Sequence, residues 1–143
     1  MTVERIIEGR NKADVVAADS QMPVKKAIVL LAENRIGALP VTAEGKVLGV
    51  FSERDVIRRL ALEQESCLNR PVQEVMSAPA ICVTPETAIN NALALMTERR
   101  VRHLPVLRND EMIAFISIGD LVKYHTEQVE NEASAMREYI QGS

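Results

Sequence analysis

The stretch Gly49-Val50-Phe51-Ser52-Glu53-Arg54-Asp55 returns 65 residues later as Ala114-Phe115-Ile116-Ser117-Ile118-Gly119-Asp120. In each copy an apolar run reads as the end of a strand, and Ser-x-x-Asp then opens a run of helix formers. Hydroxyl and carboxylate therefore fall at the mouth of a strand-to-helix turn. Ser or Thr followed three residues on by an acid is the spacing of a capping box, which favours Glu or Gln at the last position; both copies carry the shorter Asp. The strand also runs straight into the Ser without turn residues.

A second reading of the same residues is a binding site. A helix N-terminus presents unpaired backbone N–H groups and a partial positive charge, which suit an anion. A carboxylate one turn in can accept hydrogen bonds from two neighbouring sugar hydroxyls. The readings are compatible, because a Ser that caps the helix of the empty protein can turn toward a phosphate.

Working outward, the repeat extends through most of the chain. From residue 79 onward the register holds at 65. Leu39-Pro40-Val41 meets Leu104-Pro105-Val106, and Val24, Ala27, Ile28 and Leu31 meet Ile89, Ala92, Leu93 and Met96. Residues 2–8 predict a short helix with Val3, Ile6 and Ile7 on one face, and Val72–Met76 echoes it at a different offset. Between them Val15-Val16-Ala17 predicts a strand. Asp19-Ser20 and Pro23 predict the start of a helix ending near Asn34, and the segments around Glu44-Gly45 predict a hairpin. The helix after Ser52 is expected to run to about Glu65 with Val56, Ile57 and Leu60 inside.

Each copy thus reads strand, helix, strand, strand, helix. A period this long, present twice, predicts an α/β (α+β) fold of two tandem β-α-β-β-α repeats with pseudo-two-fold symmetry. The expected division is residues 1–68 for repeat 1 with its N-terminal helix, 69–127 for repeat 2, and 128–143 for a C-terminal helical extension. Along the last helix, after Asp120, Val122, Val129, Ala133, Met136 and Ile140 form a narrow apolar line. It calls either for a partner surface or for packing back on its own domain.

Composition removes several function classes. A chain of 143 residues with 47% hydrophobic content folds as one domain or two halves sharing a core. A net charge of −3 with mixed signs lacks the basic footprint of a nucleic-acid binder. Its apolar runs fall short of the roughly 20 residues that span a bilayer, and the first residues lack a signal-peptide core, so a cytoplasmic protein is expected. Cys67 and Cys82 form no C-x-x-C pair and read as reduced thiols, Cys82 within a buried strand at Ala80–Val83. With His103 and His125 as the only histidines, neither a zinc site nor a Ser/His or Cys/His nucleophile is supplied.

The tandem repeat, its hydrophobic-Pro-Val strand and its Gly-hydrophobic-x-Ser-x-x-Asp motif resemble a cystathionine-β-synthase (CBS) domain pair, or Bateman module, over about residues 3–127. Met96–Val106 and Ser117–Lys123 are similar in phrasing to small stand-alone bacterial CBS-pair proteins. The resemblance implies regulatory binding of an adenosyl ligand (AMP, ADP, ATP, NAD(H) or S-adenosylmethionine) in clefts between the repeats, with no catalytic residues. Carried over, Asp55 and Asp120 would hold ribose hydroxyls and Ser52 and Ser117 the phosphate. Backbone near Ala18-Asp19 and Val83-Thr84, with Ile36 and Val101, would frame adenine. Ala114 stands where the motif has Gly and narrows the second cleft.

Arg54, Arg58, Arg102 and His103 are the candidate cations for the phosphate. Arg102 and His103 replace the small pair Gly37-Ala38 of repeat 1, next to the expected cleft. The resemblance also implies a homodimer and a regulated partner protein. A pure interaction module with clefts too degenerate to bind, and an enzyme, are the competing readings. Ser-x-x-Asp without a base or metal explains holding a nucleotide better than transforming one.

Overall fold

The computed structural model describes residues 1–142; Ser143, the last residue assigned to the extension, lies outside the described residues. Helix α1 (Val3–Ile7) leads through a 3₁₀ turn, Lys12–Asp14, to a two-residue strand β1 (Ala18–Asp19). Helix α2 (Val24–Asn34), strands β2 (Ala38–Ala43) and β3 (Lys46–Ser52) and helix α3 (Glu53–Glu63) complete repeat 1. Two 3₁₀ turns, Gln64–Asn69 and Val72–Glu74, lead to α4 (Ile89–Arg99), β4 (His103–Arg108), β5 (Glu111–Ser117) and α5 (Ile118–Gln141).

The repeat is exact in its backbone devices. Both hairpins turn on two left-handed residues, Glu44-Gly45 and Asn109-Asp110, whose twist matches that of the flanking strands. Both carry a register shift at the same place, between Val41 and Thr42 and between Val106 and Leu107. Both α2 and α4 end on a left-handed arginine, Arg35 and Arg100.

Several local expectations are corrected. Val15-Val16-Ala17 is not a strand: β1 starts at Ala18, which pairs with Val41, because the preceding 3₁₀ turn sets the entry. Asp19 and Ser20 do not cap α2; its N-cap is Pro23, and the Asp19 carboxylate accepts from Gln21 N–H at 3.0 Å. Val72–Met76 forms a 3₁₀ turn, Val72–Glu74, in place of a second α1. The expected strand around Cys82 shrinks to one bridge, Val83 to Val106, and Cys82 is only partly buried.

Helix α3 stops at Glu63, and its inner side differs from the expected one. Ile57 is 69% and Leu60 38% exposed. Asp55 is buried and Val56, Arg59 and Glu63 are half-buried beside it. Asp55 and Val56 take the inner side of the helix, which leaves Ile57 and Leu60 on the outer one.

The core is built by exchange. Val3, Ile6 and Ile7 of α1 pack with Ile89, Met96, Leu104, Ile116 and Leu121 of repeat 2. Val72 and Val75 pack with Val24, Leu39, Val41 and Phe51 of repeat 1. Backbone bonds fix both transfers, Val3 N–H to Thr87 O at 2.8 Å and Val72 N–H to Met22 O at 2.7 Å. Residue 1–68 sequence therefore serves both cores, and each linker leaving an exchanged segment must cross from one repeat to the other.

Leu121 is buried and Tyr124 packs against the second core, but Val122, Val129 and Met136 are 50%, 50% and 60% exposed. The apolar line thus faces away from its own domain, which removes the reading in which it folds back. No helix among the described residues is long and apolar enough to cross a membrane.

One crossing is tight. A Cβ added at Gly49 would lie 2.5 Å from the Ser77 carbonyl oxygen and 2.8 Å from the Met76 sulfur. Ser77 is fixed there by two bonds with Val50, Val50 N–H to Ser77 O at 3.0 Å and Ser77 N–H to Val50 O at 2.9 Å. Gly49→Ala is therefore expected to cost about 1–3 kcal/mol, the usual range for overpacking, read from the midpoint of urea unfolding.

Candidate functional site

Both Ser-x-x-Asp motifs form complete capping boxes. Ser52 Oγ accepts from Asp55 N–H at 3.3 Å while Asp55 Oδ2 accepts from Ser52 N–H at 2.9 Å. Ser117 Oγ accepts from Asp120 N–H at 3.2 Å and Asp120 Oδ2 from Ser117 N–H at 2.9 Å. The remaining oxygens meet different worlds.

At the first motif, Asp55 Oδ1 accepts a 2.9 Å hydrogen bond from the Ser77 hydroxyl, and the carboxylate is buried. The crossing segment Met76-Ser77 occupies the space that Gly49 leaves open.

At the second motif a cavity of about 460 Å³ opens, within the size range of small-molecule sites. Asp120 and Ser117 stand on its wall with Ala114, Phe115, His103 and Ile36, and the crossing segment supplies Arg10, Asn11, Val15 and Val16. Ala114, expected to crowd this cleft, lines it without closing it. The linker from α1 runs along the wall of this cavity through its 3₁₀ turn, whereas Met76-Ser77 presses directly on β3.

Arg10 reaches Asp120 in a fork, Nη2 to Oδ1 at 3.0 Å and Nη1 to Oδ2 at 3.5 Å. Burial alone would raise the Asp120 carboxyl, but the Ser117 backbone N–H and the Arg10 guanidinium outweigh it and hold the group below the usual aspartate value. His103 stacks on Phe115 with centroids 5.3 Å apart. Burial pushes its pKa down, Asp120 and Glu53 pull it up and Arg102 adds to the lowering; the net direction is down. At neutral pH His103 is therefore an uncharged ring on the cavity wall.

Of the residues singled out in the sequence, the cavity brings together Ser117, Asp120, His103 and Ile36. Asp55 meets Ser77 instead, and the Ser52 hydroxyl bonds with Asp55. Arg54, Arg58 and Arg102 are exposed and off the cavity wall; the Arg102 carbonyl accepts from Ile118 N–H at 2.8 Å. Ala18 is buried in the first core, Val83 bridges to Val106, and Asp19, Thr84 and Val101 also lie off the wall. The reading missed Arg10 and Ser77. Both lie before residue 79, in linkers where the two copies have no common register, so comparing copies gave no signal for them.

The two repeats match the CBS domain model at residues 6–62 and 72–127, and the chain belongs to the CBS-domain family. It is 34% identical over 124 residues to CBSX3 of Arabidopsis thaliana, a mitochondrial CBS domain-containing protein, covering 83% of this chain and 60% of that one. The chain thus spans less than two thirds of that relative. The CBS-domain containing protein ATU1752 from Agrobacterium tumefaciens superposes with a TM-score of 0.81 at 30% identity, over 87% of this chain and 99% of that one. Two more distant pairs share the fold. PAE2072 from Pyrobaculum aerophilum, solved with AMP, has a TM-score of 0.73 at 24% identity over 84% and 89% of the chains. MJ0100, solved with 5′-methylthioadenosine and S-adenosylmethionine, has 0.76 at 18% over 90% and 98%.

The unequal surroundings of the two carboxylates predict unequal stability effects. Asp55→Ala strands the Ser52 N–H and the Ser77 hydroxyl and is expected to cost about 1–3 kcal/mol. Asp120→Ala removes a cap and a half-exposed ion pair, expected at about 0.5–2 kcal/mol. Urea unfolding of both variants checks the order, and an equal or larger loss for Asp120→Ala contradicts it.

Proposed function

We propose that the chain is a non-catalytic regulatory module that binds an adenosyl ligand in the cavity at Asp120, with AMP or NAD(H) favoured, and signals through a dimer contact. The observation that carries the reading is the Asp120 carboxylate on the wall of an open cavity, at the start of a long helix and beside a guanidinium. A carboxylate suits a ribose diol, and the helix N-terminus with Arg10 suits a phosphate. Ile36, Val15 and Val16 offer apolar surface for a base, and His103 over Phe115 offers a stacked ring. The AMP, methylthioadenosine and S-adenosylmethionine held by CBS pairs of this fold support the adenosyl class.

On this reading one ligand binds per chain. Asp55 already has its hydrogen bonds from Ser52 and Ser77, so a ligand there would have to displace Met76-Ser77. A thermal-shift screen of AMP, ADP, ATP, NADH and S-adenosylmethionine tests the function. A ligand at a hundred times its dissociation constant stabilises the fold by about 2.7 kcal/mol, and Asp120→Ala is expected to remove that shift. No shift with any of the five leaves the reading in which the pair is an interaction module.

The second part of the proposal is a homodimer. Ile57 and Leu62 on α3 and Val122, Val129 and Met136 on α5 are exposed apolar side chains on two neighbours of the Ser-x-x-Asp turns. A second copy covering them would couple the dimer contact to the helix that starts at the ligand site. Light scattering is expected to give the mass of two chains, with Val129→Asp shifting it toward one. A wild-type monomer at micromolar concentration would sink the dimer.

A further inference from the structure

Arg10 belongs to no repeated motif, and its salt bridge spans 110 positions of sequence, from the linker after α1 to the start of α5. It stands between two hollows. Gly9, Arg10, Asn11 and Ile113 line both the cavity at Asp120 and a neighbouring groove walled by Glu4, Glu8, Lys12 and Arg108. The other cations of that groove have partners away from the cavity. Lys12 pairs with Glu111, and Arg108 with Glu4 at 2.7 Å. Arg10 is the cation on the cavity wall, and its partner is the carboxylate that the proposed ribose needs.

We propose that Arg10 is a selectivity latch, which closes Asp120 in the empty protein and opens for a ribose that carries its own phosphate. The inference rests on the adenosyl reading and adds the class of adenosyl ligand. A neutral nucleoside must take Asp120 from the guanidinium and leaves that charge without an anion. A nucleotide breaks the same ion pair but makes another, with the diol on Asp120 and the phosphate on Arg10. The guanidinium fork suits two phosphate oxygens as it suits two carboxylate oxygens. The pair is partly exposed, Arg10 at 37% and Asp120 at 28%, so the latch is weak enough to be opened by a ligand. The first motif has no such device, since the partner of Asp55 there is a neutral hydroxyl.

The latch makes a signed prediction that general damage to the protein cannot imitate. Arg10→Ala removes the phosphate contact and frees Asp120, so AMP is expected to bind about tenfold to a hundredfold more weakly. Adenosine is expected to bind more tightly, by about two- to fivefold. Calorimetric titration of AMP and adenosine into wild type, Arg10→Ala and the near-isosteric Arg10→Gln gives both numbers, with melting curves confirming folded protein. Asp120→Ala, in which both ligands should lose affinity, locates the binding. Opposite shifts for the two ligands in both Arg10 variants support the latch. Shifts in the same direction, or none, overturn the latch and leave the adenosyl reading standing. Absence of AMP and adenosine binding to the wild type overturns the latch, and the adenosyl reading falls with it only where NADH and S-adenosylmethionine also fail to bind.

Discussion

The exchange of short segments between the two repeats is the constraint on which the remaining structure depends. Neither repeat closes its core with its own leading segment: α1 fills the core of repeat 2, and Val72 and Val75 fill that of repeat 1. Burying a side chain the size of Val or Ile contributes about 1.5–3 kcal/mol, so withdrawing Val3, Ile6 and Ile7 together would remove a large share of the stability of a domain this size. The exchange is thereby fixed, and with it the path of each linker across the strand ends.

Those crossings decide what two copies of one motif can do. The capping boxes at Ser52 and Ser117 have the same bonds at nearly the same lengths. What differs is the segment laid over them. Met76-Ser77 hydrogen-bonds to β3, fills the space that glycine leaves at position 49 and donates to Asp55. The other linker lines a cavity together with Ala114 and places a cation on Asp120. Gly at one strand end and Ala at the other follow the pressure of the covering chain. The methyl group of Ala114 lines the second cavity without closing it.

The cap and ligand readings of Ser-x-x-Asp also resolve unequally. At Asp55 the cap accounts for one carboxylate oxygen, and the Ser77 hydroxyl donates to the other. At Asp120 the oxygen turned from the box faces an exchangeable guanidinium beside open volume. The same four residues are thus a stabilising element in one repeat and a candidate binding element in the other. The difference lies in desolvation and in the partner, charged on one side and neutral on the other.

The sequence by itself determined the duplication, the end of α2 at Asn34, the hairpin at Glu44-Gly45 with its repeat, many of the core positions and the two Ser-x-x-Asp turns. These are legible because helical and strand periodicity and turn chemistry are local, and because each copy vouches for the other. Tertiary structure alone decided which repeat each leading segment joins and where the linkers lie. It also decided that Asp55 is buried while Ile57 is exposed, and that the cavity stands at Asp120 with Arg10 across it. The pairing of Arg10 with Asp120 depends on a contact across 110 residues between a linker and a repeated motif. No local pattern encodes such a contact; it exists because hydrophobic burial of α1 in the distant core carries the linker there.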